Sequence, residues 1–244
     1  MANGNIRKNT VTVFNETWEI IKKYEMDKAD VSFKAALFAF IAHWGQYRPG
    51  TKILYIVHLL RGQVTNSHYD LSKDIEIACL LHDTLDDTKD VKVEDIASLF
   101  DKKVASLVYS ASYRNKDFSW QKRREEKIEF IWRSISFNKL LVLIIDKLDN
   151  IQSIGLNSER VGKKFWKTRF KTHTRKEISW YYKSLSKAFK KRIKDLKNDK
   201  RVNKKNYMKA CSLINEFSSN VNWTFGQRAL LGRFIRYILL IIKY

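Results

Sequence analysis

Apolar residues recur every three or four positions through most of the chain, the spacing that gives a helix one buried face. Val13, Phe14, Trp18, Ile21 and Tyr24 share one face of a first helix. Asp30 stands where it can cap a second over 31–43, which is apolar almost all round (Ala35, Ala36, Leu37, Phe38, Phe40, Ile41) and is expected to be central. Pro49 and two glycines put a loop over 45–51. The segment 53–60 suits a strand by composition, but its helical surroundings favour helix. Further helices are predicted over 71–83, 93–100, 102–112 and 121–136. Another follows over 139–153, and its unbroken apolar run 140–145 marks it as deeply buried. The segment 155–160 is the one internal break the pattern offers. Beyond it, 177–196 places Ile178, Tyr181, Leu185, Phe189 and Ile193 on one stripe, with Lys and Arg elsewhere. A polar stretch over 197–205 leads to two last predicted helices, near 207–217 and 227–243. There is no internal repeat.

Composition strengthens the helical reading. Among 244 residues there are 8 glycines and 1 proline, too few turn formers for a sandwich or barrel. The 44% hydrophobic content excludes wholesale disorder. Two cysteines, Cys79 and Cys211, exclude a disulfide scaffold and fit a reducing compartment, so a cytoplasmic location is expected. No secretory leader is legible, and no run approaches the ~20 apolar residues of a transmembrane helix. The net charge of +21 sits almost entirely at one end: residues 158–244 hold 24 Lys and Arg against 5 Asp and Glu. That asymmetry suits an anionic partner, and the expectation is non-specific polyanion binding by the last third, its alternative being a merely solvated face. The oligomeric state is not legible.

Two clusters could carry chemistry. His82-Asp83 ends the apolar run Ala78-Cys79-Leu80-Leu81, and Asp86 and Asp87 follow one turn later. Crowded carboxylates and an imidazole repel one another unless a cation lies among them, although a surface capping cluster has the same composition. Asp146 follows five aliphatic residues, with Asn150 one turn on. A buried charge needs a partner, here a metal or a basic side chain. No glycine-rich phosphate loop and no CxxC pair occurs.

His58, His82-Asp83 and Asp146 stand in the order H…HD…D, and the flanking segments are more specific. Ala42-His43-Trp44-Gly45-Gln46-Tyr47-Arg48 has the form AHxGQxR. Leu80-Leu81-His82-Asp83-Thr84-Leu85-Asp86-Asp87-Thr88 has the form LLHDxxEDT with Asp for Glu. Asp146-Lys147-Leu148-Asp149-Asn150 has the form DRLHN or DKLxN. In this order and spacing the chain resembles the RelA/SpoT-type alarmone hydrolases of the HD phosphohydrolase superfamily, over roughly 31–154 and more loosely near 180–185. The resemblance implies an all-α fold, an HD-domain helical bundle over 1–197 with a basic C-terminal helical extension over 198–244. It implies a divalent metal, usually Mn²⁺, held by His58, His82, Asp83 and Asp146; ligand type alone leaves other divalent cations open. Asp86 and Asp87 match the pair that activates or orients the hydrolytic water. Arg48 and Asn150 match nucleotide contacts, and Ser153 stands where a nucleotide-contacting Thr is common. His43 reads as structural support.

Departures from the family pattern are specific. His58 is followed by Leu59 instead of Pro, with one extra residue after Arg48. Pro49 replaces a basic residue, Asp86 is one methylene shorter than Glu, and Asp149 replaces a histidine, adding negative charge. The shorter arm bears on rate or substrate more than on metal, because proton transfer demands close geometry. The implied activity is hydrolysis of the 3′-pyrophosphate of (p)ppGpp to GDP or GTP and pyrophosphate. With only about 90 residues after the last motif, a synthesising domain does not fit there, and a stand-alone hydrolase is expected. The alternatives are an HD phosphohydrolase acting on NADPH, ppApp or an oligonucleotide, or a non-catalytic HD-fold binding module.

Overall fold

Several helices start where a short polar side chain takes up a free backbone N–H. Asp30 accepts from the Ser32 amide, Asp101 from Val104, Ser119 from Lys122 and Asn203 from Asn206. Thr174 and Glu177 bond reciprocally as a capping box. The computed structural model describes residues 9–23, 30–113, 115 and 117–226. Among them lie α1 (Thr10–Lys23), α2 (Val31–Ala42), α3 (Ile56–His68), α4 (Lys73–Leu81), α5 (Thr84–Asp87) and α6 (Val93–Leu99). The order continues with α7 (Lys102–Ala111), α8 (Trp120–Arg133), α9 (Phe137–Val161), α10 (Lys163–Arg169), α11 (Arg175–Asp195) and α12 (Lys204–Phe225). The described residues contain no strand, only an isolated bridge between Tyr47 and Leu54. The fold is an all-α bundle, as the turn-poor composition implies. None of the described helices is long and apolar enough to cross a membrane.

The spine is α9, whose 140–146 run is wholly buried and which packs against α3, α4, α7, α10, α11 and α12. The predicted break at 155–160 is not there, because α9 runs on to Val161. Gly155 is a point of close approach instead: a Cβ there would collide with the Trp223 ring of α12. The helix stops at Gly162, whose φ of 69° is open to glycine. The expectation for 31–43 also needs correction. α2 buries Ala35, Phe38, Ala39 and Ala42 against α1, α3 and α4, while Val31, Phe33 and Phe40 are exposed, so it is a peripheral layer.

α3 begins at Ile56, three residues later than predicted, because the preceding chain is tied back across its loop: Arg48 N–H donates to the Ile53 carbonyl and Tyr55 N–H to Gln46. The short helices α5 and α10 have no counterpart in the sequence reading. The predicted stripe of α11 is buried at all five positions, which turns its lysines outward. Leu213, Ile214, Phe217 and Val221 of α12 join the same core as α9 and α11. Tyr24 and the helix predicted over 227–243 lie outside the described residues.

Candidate functional site

Two buried imidazoles meet where α3 and the end of α4 face α9. His82 caps the C-terminus of α4, and its Nδ1 lies 2.9 Å from the Cys79 carbonyl oxygen, which can only accept. That contact puts the proton on Nδ1 and leaves Nε2 with a lone pair. His58 Nδ1 lies 2.6 Å from Asp149 Oδ2, which fixes its ring in the same sense. The two Nε2 atoms are 3.2 Å apart. Asp83 Oδ2 lies 3.4 and 3.2 Å from the Nε2 atoms of His58 and His82, and Asp146 Oδ1 lies 3.5 Å from each. His58, His82 and Asp83 form a candidate metal cluster, and Asp146 approaches it from α9.

Two imidazole lone pairs and the Asp83 carboxylate, with Asp146 Oδ1 3.5 Å from each ring, make a donor set for a divalent cation of mixed nitrogen and oxygen preference. The orienting partners behind the rings, Asp149 and a backbone carbonyl, are the kind that metal-ligating histidines use. These residues therefore fit a divalent metal. Without one, the carboxylates compensate by raising the basicity of the rings. Burial and Arg48 push His58 down, yet its bonds to Asp146, Asp149 and Asp83 raise it to about 9. Burial also opposes charge on His82, but Asp83 and Asp146 hold it well above its usual value. Burial pushes Asp83 and Asp146 up, but His82 beside Asp83, and Lys147 and His82 beside Asp146, hold both carboxylates well below their usual range.

A cleft of about 340 Å³ opens beside this cluster, lined by Arg48, Tyr55, Asp83, Asp86, Asp87, Tyr113, Arg123, Arg124, Asp146, Lys147 and Asn150. Asp86 and Asp87 reach it from α5, and Asp86 Oδ2 accepts the Tyr113 amide at 3.0 Å. The Tyr55 hydroxyl lies 2.7 Å from Asp83 Oδ2 and 2.5 Å from Asp87 Oδ2. One hydroxyl proton cannot serve two carboxylates. Burial and then the Asp83 charge push the Asp87 carboxyl above its usual range. Arg48 Nη2 donates to Asn150 Oδ1 at 2.6 Å and its guanidinium lies over the Tyr55 ring. Asn150 Nδ2 donates to the Asp146 carbonyl at 3.0 Å and to Asp146 Oδ1 at 2.5 Å, so one amide ties the arginine to the metal-ligand candidate.

The structure thus gathers eight of the nine predicted site residues. Ser153 is the exception: it is buried on α9, it accepts from Asn157, and it does not line the cleft. His43 supports the site as expected, stacked on Tyr55 with 4.7 Å between ring centroids and bonded to Gln46. Tyr55, Lys147, Arg123 and Arg124 were not singled out from sequence, and Asp149 was noted for its charge alone. Asp149 carries a signal that could have been used, since it lies three residues after Asp146 on the same helix.

A family model described as an HD domain matches residues 35–169, more than half of the chain. Curated relatives include a guanosine-3′,5′-bis(diphosphate) 3′-pyrophosphohydrolase of Borreliella burgdorferi, 29% identical over 147 residues, or 59% of this chain. The protein of the same name from Aquifex aeolicus is 27% identical over 158 residues, or 64% of this chain. The matched stretch spans 22% of the length of each relative. Among solved structures, a Listeria monocytogenes EGD-e protein aligns with a TM-score of 0.57 at 24% identity, covering 70% of this chain and 99% of the other. A metazoan ortholog of SpoT that hydrolyses ppGpp aligns with a TM-score of 0.56 at 21% identity, covering 77% of this chain and 96% of the other. At these identities the structural likenesses speak to the fold.

Proposed function

The chain belongs to the HD-domain family, and on that premise we propose that its cleft hydrolyses the 3′-pyrophosphate of guanosine nucleotides of the (p)ppGpp type, giving GDP or GTP and pyrophosphate. The observation that carries this reading is the meeting, at one cleft, of the His58, His82, Asp83 and Asp146 donor set with the Asp86–Asp87 and Arg48–Asn150 pairs. The activity borne by the two curated relatives supports the same substrate class. A divalent cation, Mn²⁺ by the family resemblance, supplies Lewis acidity when bound: it lowers the pKa of water and offsets charge on a phosphoryl oxygen.

The side chains do the rest. Arg48, braced by Asn150 and Tyr55, holds the nucleotide at one end of the cleft. Asp86, fixed by the Tyr113 amide, orients a water toward the phosphorus next to the ribose. As the water oxygen bonds to that phosphorus, Asp87 takes the proton, for which its raised pKa suits it. The bond from phosphorus to the ribose 3′ oxygen breaks, and a proton passes to that oxygen.

Turnover of (p)ppGpp, ppApp, NADPH and single-stranded RNA and DNA by the Mn²⁺-loaded protein, with products resolved by ion exchange, tests the proposal. We expect kcat/KM for (p)ppGpp to exceed the others by at least about tenfold, with pyrophosphate and GDP or GTP in equal amounts. Faster release of phosphate from NADPH, or of nucleotides from the oligomers, would move the site to that substrate. No turnover of any of them would make the cleft a binding module.

A further inference from the structure

Four cationic side chains border the cleft, and they differ in what already holds them. Arg48 bonds to Asn150 and pairs with Asp149, and Lys147 lies 2.6 Å from Asp146 Oδ2. Arg123 and Arg124 on α8 line the same cleft, yet Nε of Arg123 and both Nε and Nη1 of Arg124 are sealed from solvent without a hydrogen-bond partner. A guanidinium stays charged at any physiological pH, so idle buried donors on it are costly.

Aromatic faces offset part of that cost. The Arg124 guanidinium lies 4.6 Å from the Tyr113 ring centroid, 5.2 Å from Trp120 and 5.0 Å from Tyr181. The Arg123 guanidinium lies 5.6 Å from Tyr113. Stacking engages the flat face of a guanidinium and leaves its N–H edge to find a partner elsewhere. That edge is the fork that matches phosphate two bonds at a time. Tyr113, beside both arginines, also gives its amide to Asp86, so the pair stands next to the residue assigned to the water.

We propose that Arg123 and Arg124 form a second anion subsite, gripping a phosphate other than the one undergoing attack. The inference rests on the reading of the cleft as a nucleotide pyrophosphohydrolase and deepens it: recognition needs a further phosphate beyond the reacting one. That phosphate is either the terminal group of the pyrophosphoryl chain or part of the 5′ chain of the nucleotide, and the recognising chemistry is the same for both.

Calorimetric titration of the Mn²⁺-loaded protein with pyrophosphate and with GDP separates the two sources without any turnover. Arg124→Gln should weaken binding of one of them by about tenfold or more: pyrophosphate for the terminal group, GDP for the 5′ chain. Arg124→Lys keeps the charge and loses the fork. It should weaken the same ligand while its Tm stays within roughly 3 °C of the wild type, which separates recognition from packing. Arg123→Gln should weaken that ligand too. Unchanged affinity for both ligands in Arg124→Gln and Arg124→Lys, or no binding of either ligand to the wild type, would overturn the subsite. The parent reading is judged apart, by turnover: a wild type that binds pyrophosphate through Arg124 and hydrolyses no (p)ppGpp keeps the subsite and loses the reaction.

Discussion

His58 and His82 face each other through the nitrogens that Asp149 and the Cys79 carbonyl leave free, and much of the protein's response to pH follows from that. In metal-free protein the surrounding carboxylates outweigh burial and hold His58 at about 9 against its usual 6.5. A folded value above the unfolded one stabilises fully below pH 6.5 and is lost as pH rises through about 9. We expect the chelated protein to lose thermal stability over that window and the Mn²⁺-loaded protein to change little, as read by melting curves of both. Asp149 acts through His58, so Asp149→Asn should weaken Mn²⁺ affinity by roughly 10–100-fold in a direct titration. Asp86→Asn should lower kcat by roughly 10²–10⁴-fold with metal content retained. Loss of metal in that variant would make Asp86 a ligand. The candidate ligands were legible in sequence because their order and flanking motifs survive. The Asp149–His58 bond was not, because it joins positions 91 residues apart and no local pattern announces it.

Helices were legible where their signals are local. The three- and four-residue apolar spacing marks α7, and the five-residue stripe marks α11. The start of α3 was misplaced because it is set by the pairing of Tyr47 with Leu54 across a loop. The continuity of α9 was missed because Gly155 reads as a break until Trp223 is seen against it. Gly155→Ala should therefore destabilise by roughly 1–3 kcal/mol through overpacking between α9 and α12, measured by denaturant unfolding. A second inter-helix device is the buried Lys127 ammonium of α8, which donates to the carbonyls of Ser110, Ala111 and Ser112 at the end of α7. Lys127→Met should cost roughly 2–3 kcal/mol in the same measurement, by leaving those carbonyls unpaired. It should also lower kcat, because the Tyr113 amide that steadies Asp86 follows directly on that turn.

Across the whole molecule, the burial of the α11 stripe explains how the eight Lys and Arg of that helix coexist with a continuous core: the apolar face packs inward and the lysines face water. Any RNA or anionic vesicle held by that surface should be released steeply with salt, with roughly 10³–10⁵-fold weaker binding between 50 and 200 mM if six or more contacts form. Beyond the expected boundary at 197/198, α12 contributes Leu213, Ile214, Phe217 and Val221 to the core. A chain ending at 203 should therefore lose cooperative unfolding. The central claim is that His58, His82, Asp83 and Asp146, which α3, the α4–α5 junction and α9 bring close together, would hold one divalent cation. Metal content of wild type, His82→Ala and Asp83→Ala, purified identically in Mn²⁺ and quantified by mass spectrometry, tests it most directly. The account requires about one metal per wild-type chain and strong loss in both variants, since each removes a donor from a buried set. Metal-free wild type, or variants that hold as much metal as the wild type, would contradict it.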